Sequence, residues 1–581
     1  MAVAGVHPSG QAAGGGDPVD GGGDHVGHGD GLDPRSPASF QEEERPMSWT
    51  SPYPPVEVGG TTLHRMVLAA ARAGDRPALV DAATGTQVTY RLLAERVQGV
   101  AAGLAARGFG PGDVLALSAP NLPQWAGVAL GAMAAGGTVT GASPAATERE
   151  LATLLADAGA SVLVTVPPLV PPARSAAAAA GVRELVVLGQ AEGAVPILDL
   201  LAAGAATRPP DPPGAAADPA AGVALLPYSS GTTGLPKGVE LTHANLVTAV
   251  RQVSCGLRIT DRDILLAVAP FSHIMGFVVT LAVPLSAGAT VVTMPRFDPG
   301  RLLELIERHR VTVLVGAPPM LRVLTGHPRA VGADLSSLEL VVCGGAALSA
   351  AAQEALAARL PGATVGQAWG LTETTVGLSM PDRAGGSVPG TVGRVMPNTE
   401  LRVVDPASGR DLGPGEPGEL LGRGPQVMAG YRNRPEATAA MVGPDGWLRT
   451  GDLGLVDAGG NVVIVDRLKE LIKVRGHQVA PAELEALLAT HPAVADAAVL
   501  GREDPEDGEV PVAVVVPRAG ADPDPGRLLA WVAERVAPHK RLRAVRFADA
   551  IPRTPSGKLL RRALRDEARR ADRRASSVPA G

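Results

Sequence analysis

From about Thr61 the chain repeats one pattern: a short uninterrupted apolar run, a polar joint, then a stretch with apolar residues at helical spacing. Residues 113–119 read as a strand, 124–135 as a helix and 161–166 as a strand. Residues 264–269, 289–294 and 311–315 are further apolar strands, with an amphipathic helix at 300–309 between the last two. Residues 338–342 and 363–366 continue the series around a helix at 349–359. A strand that is apolar at every position must be covered on both faces. Repeated βα units therefore predict largely parallel sheets covered by helices. With 581 residues the chain is long enough for two or more such domains.

The flanks differ from this body. Residues 1–46 are rich in Gly, Asp, His and Pro, with few large apolar side chains. They are expected to stay unfolded, and they lack the basic-then-apolar order of a secretory signal. Residues 205–221, rich in Ala, Pro and Asp, read as a linker. Residues 272–294 hold no Asp, Glu, Lys or Arg, a length that raises the question of a membrane span. Pro284, Ser286 and Gly288 instead divide them into a helix and a following strand. After Gly451 the texture changes to a smaller α+β unit. A strand at 461–465 precedes that unit, which contains a helix at 481–488, strands at 497–500 and 510–516, a helix at 527–536 and a strand near Val545. The basic end, 561–581, is expected to fray.

A net charge of -6 gives no general attraction to nucleic acid. Two cysteines, Cys255 and Cys343, exclude a disulfide scaffold and suit a reducing, cytoplasmic setting. Of 52 basic residues only five are lysine: Lys237, Lys469, Lys473, Lys540 and Lys558. An ammonium retained against that arginine bias marks places where a compact, flexible cation is required.

The stretch YSSGTTGLPKG, 228–238, follows an apolar strand at 223–226 and precedes a helical pattern running from Leu241 to residue 253, with Thr242 and Asn245 at its start. Gly231 and Gly234 permit close approach of a ligand to the backbone. Ser229, Ser230, Thr232 and Thr233 supply hydroxyls and Lys237 a charge, a set suited to polyphosphate. It is not the G-x-x-x-x-G-K-[ST] loop, because Pro236 and Gly238 break that pattern. Taken alone it reads equally as a flexible surface turn. Further on come QAWGLTET (367–374), GWLRTGDLG (446–454), DRLKELIKVRGHQ (466–478) and IPRTPSGKLLRR (551–562).

In this order the motifs closely resemble those of the adenylate-forming superfamily of acyl-CoA synthetases, carrier-loading adenylation domains and luciferases, most of all 4-coumarate–CoA ligase-like enzymes. The resemblance spans roughly residues 60–566. It implies an α/β fold with a large N-terminal domain of helix-covered, largely parallel sheets and a small β-barrel-like subdomain, plus a smaller mobile α+β C-terminal domain. The expected division is 47–465 and 466–566, with tails at 1–46 and 567–581. It also implies an ATP-dependent carboxylic acid–CoA ligase acting through acyl-AMP, with ATP, Mg²⁺ and coenzyme A. The rival readings are an enzyme loading a carrier protein, a luciferase-like oxygenase and a non-catalytic nucleotide-binding regulator. Intact Lys558, Glu373 and Asp452 argue against the last.

Site roles follow by the same resemblance. Ser229, Ser230, Gly231, Thr232, Thr233 and Lys237 cradle phosphates. Gln367, Ala368 and Trp369 line the base, Thr372 meets the α-phosphate and Glu373 helps to hold Mg²⁺, since a carboxylate beside a triphosphate needs a hard cation between them. Asp452 accepts from the ribose hydroxyls and Arg467 donates to ribose or phosphate. Lys558 bridges the acid and the α-phosphate. Lys469 is the pivot. Lys473 and Gln478 face the adenylate in the thioester-forming state, and Arg296, Arg475 and Gly476 contact CoA. His273 gates the acyl pocket, which comprises Ile274, Met275, Val279, Gly344, Gly345 and Met380. Met275 stands where plant coumarate ligases carry Tyr, and Val279 where they carry a small polar residue.

Overall fold

The computed structural model describes residues 47–567 apart from 206–221, 230–235, 476, 505, 555–556 and 562. The expectations for 1–46, for nearly all of 205–221 and of 567–581, and for Ser230, Gly231, Thr232, Thr233 and Gly476 fall outside the described residues.

Two sheets dominate. One runs in the order Thr364–Gln367, Leu340–Cys343, Val313–Gly316, Ile264–Ala267, Thr290–Thr293, Pro77–Asp81, Gln87–Thr89. Its neighbours are parallel except at the last, antiparallel edge. The other centres on Val114–Ser118, flanked in parallel by Thr138–Ala142 and Ala160–Thr165. Glu184–Val187 and Val195–Pro196 extend it on one side and Val223–Leu225 on the other. The central strands are buried at every position, as their uniform apolarity predicts. Helices cover them. Gln124–Ala134 buries Trp125 and Met133 against the first core, and Pro299–His309 buries Leu302, Leu303, Leu305 and Ile306 in a second.

Among the described residues two five-stranded sheets follow, besides a two-stranded one of Ser379–Met380 and Arg394–Val395. Trp49–Thr50, Glu400–Val404, Gly418–Arg423, Leu448–Val456 and Val462–Arg467 form an antiparallel sheet at the place of the expected barrel-like unit. The C-terminal α+β unit pairs Val494–Asp504 with Gly508–Pro517, adds Ala544–Phe547 in parallel, and carries the hairpin Ile472–Val474 and His477–Val479. Helices Pro481–Ala489 and Pro525–Ala533 bury Leu484, Leu488, Leu528 and Val532 in a core of its own. Asp466 ties this unit back to the large one: its Oδ1 accepts from Arg467 N and its Oδ2 from Ala482 N at 2.9 Å.

One local expectation is corrected. Leu241 does not open a helix. Lys237–Thr242 is a strand in which Val239 and Leu241 are buried at period two, and the helix runs from His243 to Leu257. Thr242 caps it reciprocally with Asn245, 3.1 Å in one direction and 2.9 Å in the other. The segment 230–236 therefore joins two antiparallel strands, with Tyr228 opposite Gly238, rather than a strand and a helix. In 272–294 the expected helix and following strand are both present, with Pro284 and Ser286 inside the helix and Gly288 as the break. Helix Ile274–Phe277 passes through a π turn, Val278–Ala282, into Val283–Ala287, and Gly288 (φ 79°) ends it before strand Thr290–Thr293. Widening the helix just before a proline accommodates the missing N–H. Among the described residues no helix is long and apolar enough to cross a membrane.

Candidate active site

A cavity of about 2030 Å³ opens at the C-terminal ends of the parallel strands of both large sheets. Ala119 follows Val114–Ser118, Ser143 follows Thr138–Ala142, Gly344 follows Leu340–Cys343, and Ala368 follows Thr364–Gln367. Open α/β sheets bind ligands at this end, where chains leave the strands in different directions.

The polar end is built from residues distant in sequence. After Gln367 the chain makes a short turn, Thr372–Thr374, then two β-branched residues at positive φ, Thr375 (50°) and Val376 (122°). L side chains rarely adopt these angles, and such strain gathers at functional sites. The turn delivers Thr372 and Glu373 to the cavity wall. Glu373 is 5 % exposed, and its Oε1 accepts from Tyr431 Oη at 2.7 Å. Lys237 Nζ lies 4.8 Å from the centre of the Tyr431 ring, so the base of the 228–238 hairpin meets the acidic residue through that tyrosine. Ser229 lines the same wall.

Asp452 is buried, with both oxygens engaged: Trp369 Nε1 donates at 2.8 Å and Arg467 Nε lies at 2.8 Å. Burial raises its pKa, opposed first by Arg467. The two motifs containing Asp452 and Arg467 sit together because Leu448–Val456 and Val462–Arg467 pair with Asp452 opposite Arg467. Gln367 reaches the wall, but its amide is committed elsewhere. Its Oε1 accepts from Leu348 N at 2.8 Å and its Nε2 donates to Gln353 at 3.0 Å. It supports the turn that follows Gly344 and Gly345.

Lys558 comes from the C-terminal unit into this cavity. Its pKa is lowered by burial and then by Arg467, while Asp452, Glu373 and Glu470 pull it back up. Its charge also reaches His273. That imidazole caps helix Ile274–Phe277, its Nδ1 accepting from Met275 N at 3.3 Å. Burial, then Lys558, push its pKa down to about 4, so it is neutral near pH 7. Beyond His273 the wall turns apolar: Ile274, Met275, Val279, Gly344, Gly345 and Met380 all line it. Gly344 lies close to the methionine: a Cβ there would be 2.8 Å from Met275 Sδ, so the Met275 side chain would have to shift. Arg296 lines the cavity and is exposed.

The structure does not bring Lys473, Gln478 or Arg475 to the cavity. Lys473 and Gln478 face each other across the hairpin Ile472–Val474/His477–Val479, both exposed. Arg475 pairs with Asp507. Lys469 is exposed at the cavity's edge. Sequence reading missed Tyr431, whose bond to Glu373 spans 58 residues. It also missed Asp157, which accepts from Tyr228 Oη at 2.9 Å and pairs with Arg434 at 2.7 Å. The one signal was the scarcity of tyrosine, four in the chain.

Comparison with known proteins agrees with this geometry. Residues 67–432 match the model of the AMP-binding enzyme family, and 483–558 match that of the AMP-binding enzyme C-terminal domain. The chain belongs to the AMP-binding enzyme family. Within that family it is an AMP-forming acid–thiol ligase. A similar relative, 4-coumarate–CoA ligase 3 of Oryza sativa subsp. japonica, is 40% identical over 90% of this chain and 95% of its own. The ATP-bound structure of MatB from Rhodopseudomonas palustris superposes with a TM-score of 0.78 at 31% identity, over 87% of this chain and 99% of its own. The anthranilate CoA ligase AuaEII with anthranoyl-AMP gives 0.80 at 25% identity, over 88% and 98%. The AMP-binding enzyme fold thus extends over both the large and the C-terminal units described above.

Proposed function

We propose that this AMP-binding enzyme joins a carboxylic acid to CoA in two steps, through acyl-AMP, giving acyl-CoA, AMP and diphosphate. The observation that carries the reading is the placement of Lys558: one ammonium enters a single cavity between an acidic, hydroxyl-bearing end and an apolar end, with a neutral His273 at the junction. Attack of a carboxylate on an α-phosphate brings two anions together. A fixed cation between them stabilises charge that is most concentrated in the transition state. Thr372, Lys237 and the 228–238 loop hold the phosphates; Asp452 and Arg467 hold the ribose; Trp369 and Ala368 flank the base, with Gln367 behind them.

Glu373 would hold Mg²⁺ arriving with the triphosphate, whose charge the ion neutralises. Among the described residues no group of three or more His, Cys, Asp and Glu is gathered for a resident metal. One carboxylate suits an ion that keeps phosphate oxygens and waters as its other ligands. For the second step the C-terminal unit turns about Lys469, exchanging Lys558 for the face with Lys473, Gln478, Arg475 and Gly476. Arg296 receives the CoA phosphates. The CoA ligase name of the rice relative favours CoA over a carrier protein as acceptor.

The acid is an aryl-propenoic or medium-chain fatty acid with an apolar tail. The named acyl-end residues offer no side-chain hydroxyl or amide. A phenolic hydroxyl buried among them loses water without gaining a partner, costing about 1–3 kcal/mol. The test is ATP–pyrophosphate exchange, then thioester formation on CoA, across a panel of cinnamate, 4-coumarate, caffeate and octanoate. Cinnamate or octanoate should exceed 4-coumarate in kcat/KM by about 10- to 100-fold, since such a pocket rejects an added hydroxyl only weakly. Met275→Tyr should narrow the gap. A wild-type preference for 4-coumarate would overturn the assignment of the tail, and no exchange with any acid would overturn the reaction.

A further inference from the structure

Lys558 stands on a small hairpin. Arg553 and Leu559 form an antiparallel bridge, Thr554 N donates to Lys558 O at 2.7 Å, and Lys558 N donates to Thr554 Oγ1 at 3.0 Å. The stalk of the hairpin is gripped by Asp496, near the start of strand Val494–Asp504. Arg553 Nη2 donates to both carboxylate oxygens, at 3.1 and 2.9 Å, while its Nη1 donates to Gly557 O at 3.3 Å. The same carboxylate faces the large unit, where Arg322 Nη1 lies 3.8 Å from Asp496 Oδ1. One acidic side chain thus joins the arm that carries Lys558 to the body that holds its target.

We propose that Asp496 is a positioning residue for Lys558, and that its contact with Arg322 latches the C-terminal unit in the arrangement competent for adenylation. The inference rests on the two-step reading. Arg553 spans the two: its Nη2 makes strong charge-assisted bonds to Asp496 while its Nη1 holds Gly557 O, so Arg553 sets the angle at which the hairpin leaves the sheet. Arg322 and Arg553 belong to different units, and Asp496 meets both only while those units are docked as here. A contact made in one arrangement alone shifts the balance between arrangements. Arg322 is half exposed, at 46 %, and its pair with Asp496 is long. Such a bond is weak, which suits a latch that opens in every turnover.

The experiment uses full-length protein and the panel acid that gives the fastest wild-type exchange. ATP–pyrophosphate exchange is measured first, then thioester formation from that acid's synthetic acyl-adenylate and CoA. Asp496→Asn should lower kcat for exchange about 10- to 100-fold, the scale expected when a catalytic group is displaced by about 1 Å, and leave the second half-reaction unchanged. Asp496→Glu should recover part of the loss, and Arg322→Ala should reproduce a smaller loss in the same half-reaction only. Equal loss of both half-reactions in Asp496→Asn would make its role merely structural and sink the proposal. Wild-type exchange in both Asp496→Asn and Arg322→Ala would sink it too, with the proposed function intact. Wild-type protein that exchanges with no acid would overturn that function and this inference with it.

Discussion

Replacing Gly557 by alanine should separate the two half-reactions by steric means alone. Gly557 has φ 85°, and a Cβ built on it would lie 2.5 Å from Ala317 Cβ and 3.6 Å from Pro319 Cδ. Carbon atoms settle at about 3.5–4 Å, so the pair must separate by about 1 Å. Ala317 cannot give way. It is fully buried, directly after the core strand Val313–Gly316. The hairpin must retreat instead, and Lys558, the next residue, retreats with it. A 1 Å error at a positioned group costs about 10²-fold in rate, so ATP–pyrophosphate exchange should fall by about that factor. Left-handed strain at an alanine, of order 1 kcal/mol, accompanies the chain in either arrangement and should move thermal stability slightly. Acyl transfer to CoA from supplied acyl-adenylate does not require the hairpin to touch Ala317, and should persist. Exchange at the wild-type rate in a folded Gly557→Ala protein would refute the docking geometry.

Lys469→Pro, which fixes φ at the pivot, should allow one burst of acyl-AMP and then slow CoA-dependent turnover; unimpaired steady-state turnover would place the pivot elsewhere. Acid sensitivity should arise from His64 and His243, whose rings meet edge to face at 5.9 Å. Burial first, and for His64 also the charge of His243, push their pKa values down to about 3 and about 4. The unfolded chain therefore binds more protons below about pH 6.5, and stability falls as pH drops from there towards 4. At pH 5 each histidine forfeits up to about 2 kcal/mol, readable as a lower urea midpoint than at pH 7. A flat profile would contradict the burial of the pair.

Much of the fold was readable because uniformly apolar strands and amphipathic helices are local patterns. The strand read at 113–119 is Val114–Ser118, and the helix read at 300–309 is Pro299–His309. Leu241 was misassigned because its strand is fixed by distant partners, Val223–Leu225 and Gly430–Tyr431, while the capping pair Thr242 and Asn245 is local and was read correctly. Lysine was informative because it is scarce. Arginine was not, and the contacts that place Lys558 run through Arg553 and Arg322, two among dozens. Their shared partner Asp496 lies 57 residues from Arg553 in the chain. Gln367 shows the converse limit: its position by the cavity was legible, but the commitment of its amide to Leu348 and Gln353 needed coordinates.

On the proposed reaction, the charges around Lys558 favour an arriving anion as its partner. Burial and Arg467 disfavour the ammonium, and the carboxylates Asp452, Glu373 and Glu470 offset them only in part, leaving its pKa below that of a free lysine. Asp452 is already neutralised by Arg467, and Glu373 already accepts from Tyr431. Among the described residues the cation thus has no single carboxylate of its own, and on the proposed reaction an arriving anion meets less competition for it. Each negative charge brought beside Lys558 raises its pKa and strengthens the contact. Charge building up between acid and phosphate does so most of all. His273 supports this by staying neutral: burial and Lys558 together keep a second cation from forming at the junction. A protonated imidazole there would repel Lys558 and draw the acid's carboxylate towards itself. On that reading the apolar wall beside His273 is part of the electrostatics, since the same dryness that would suit an apolar tail holds the imidazole neutral and would leave the anions to Lys558.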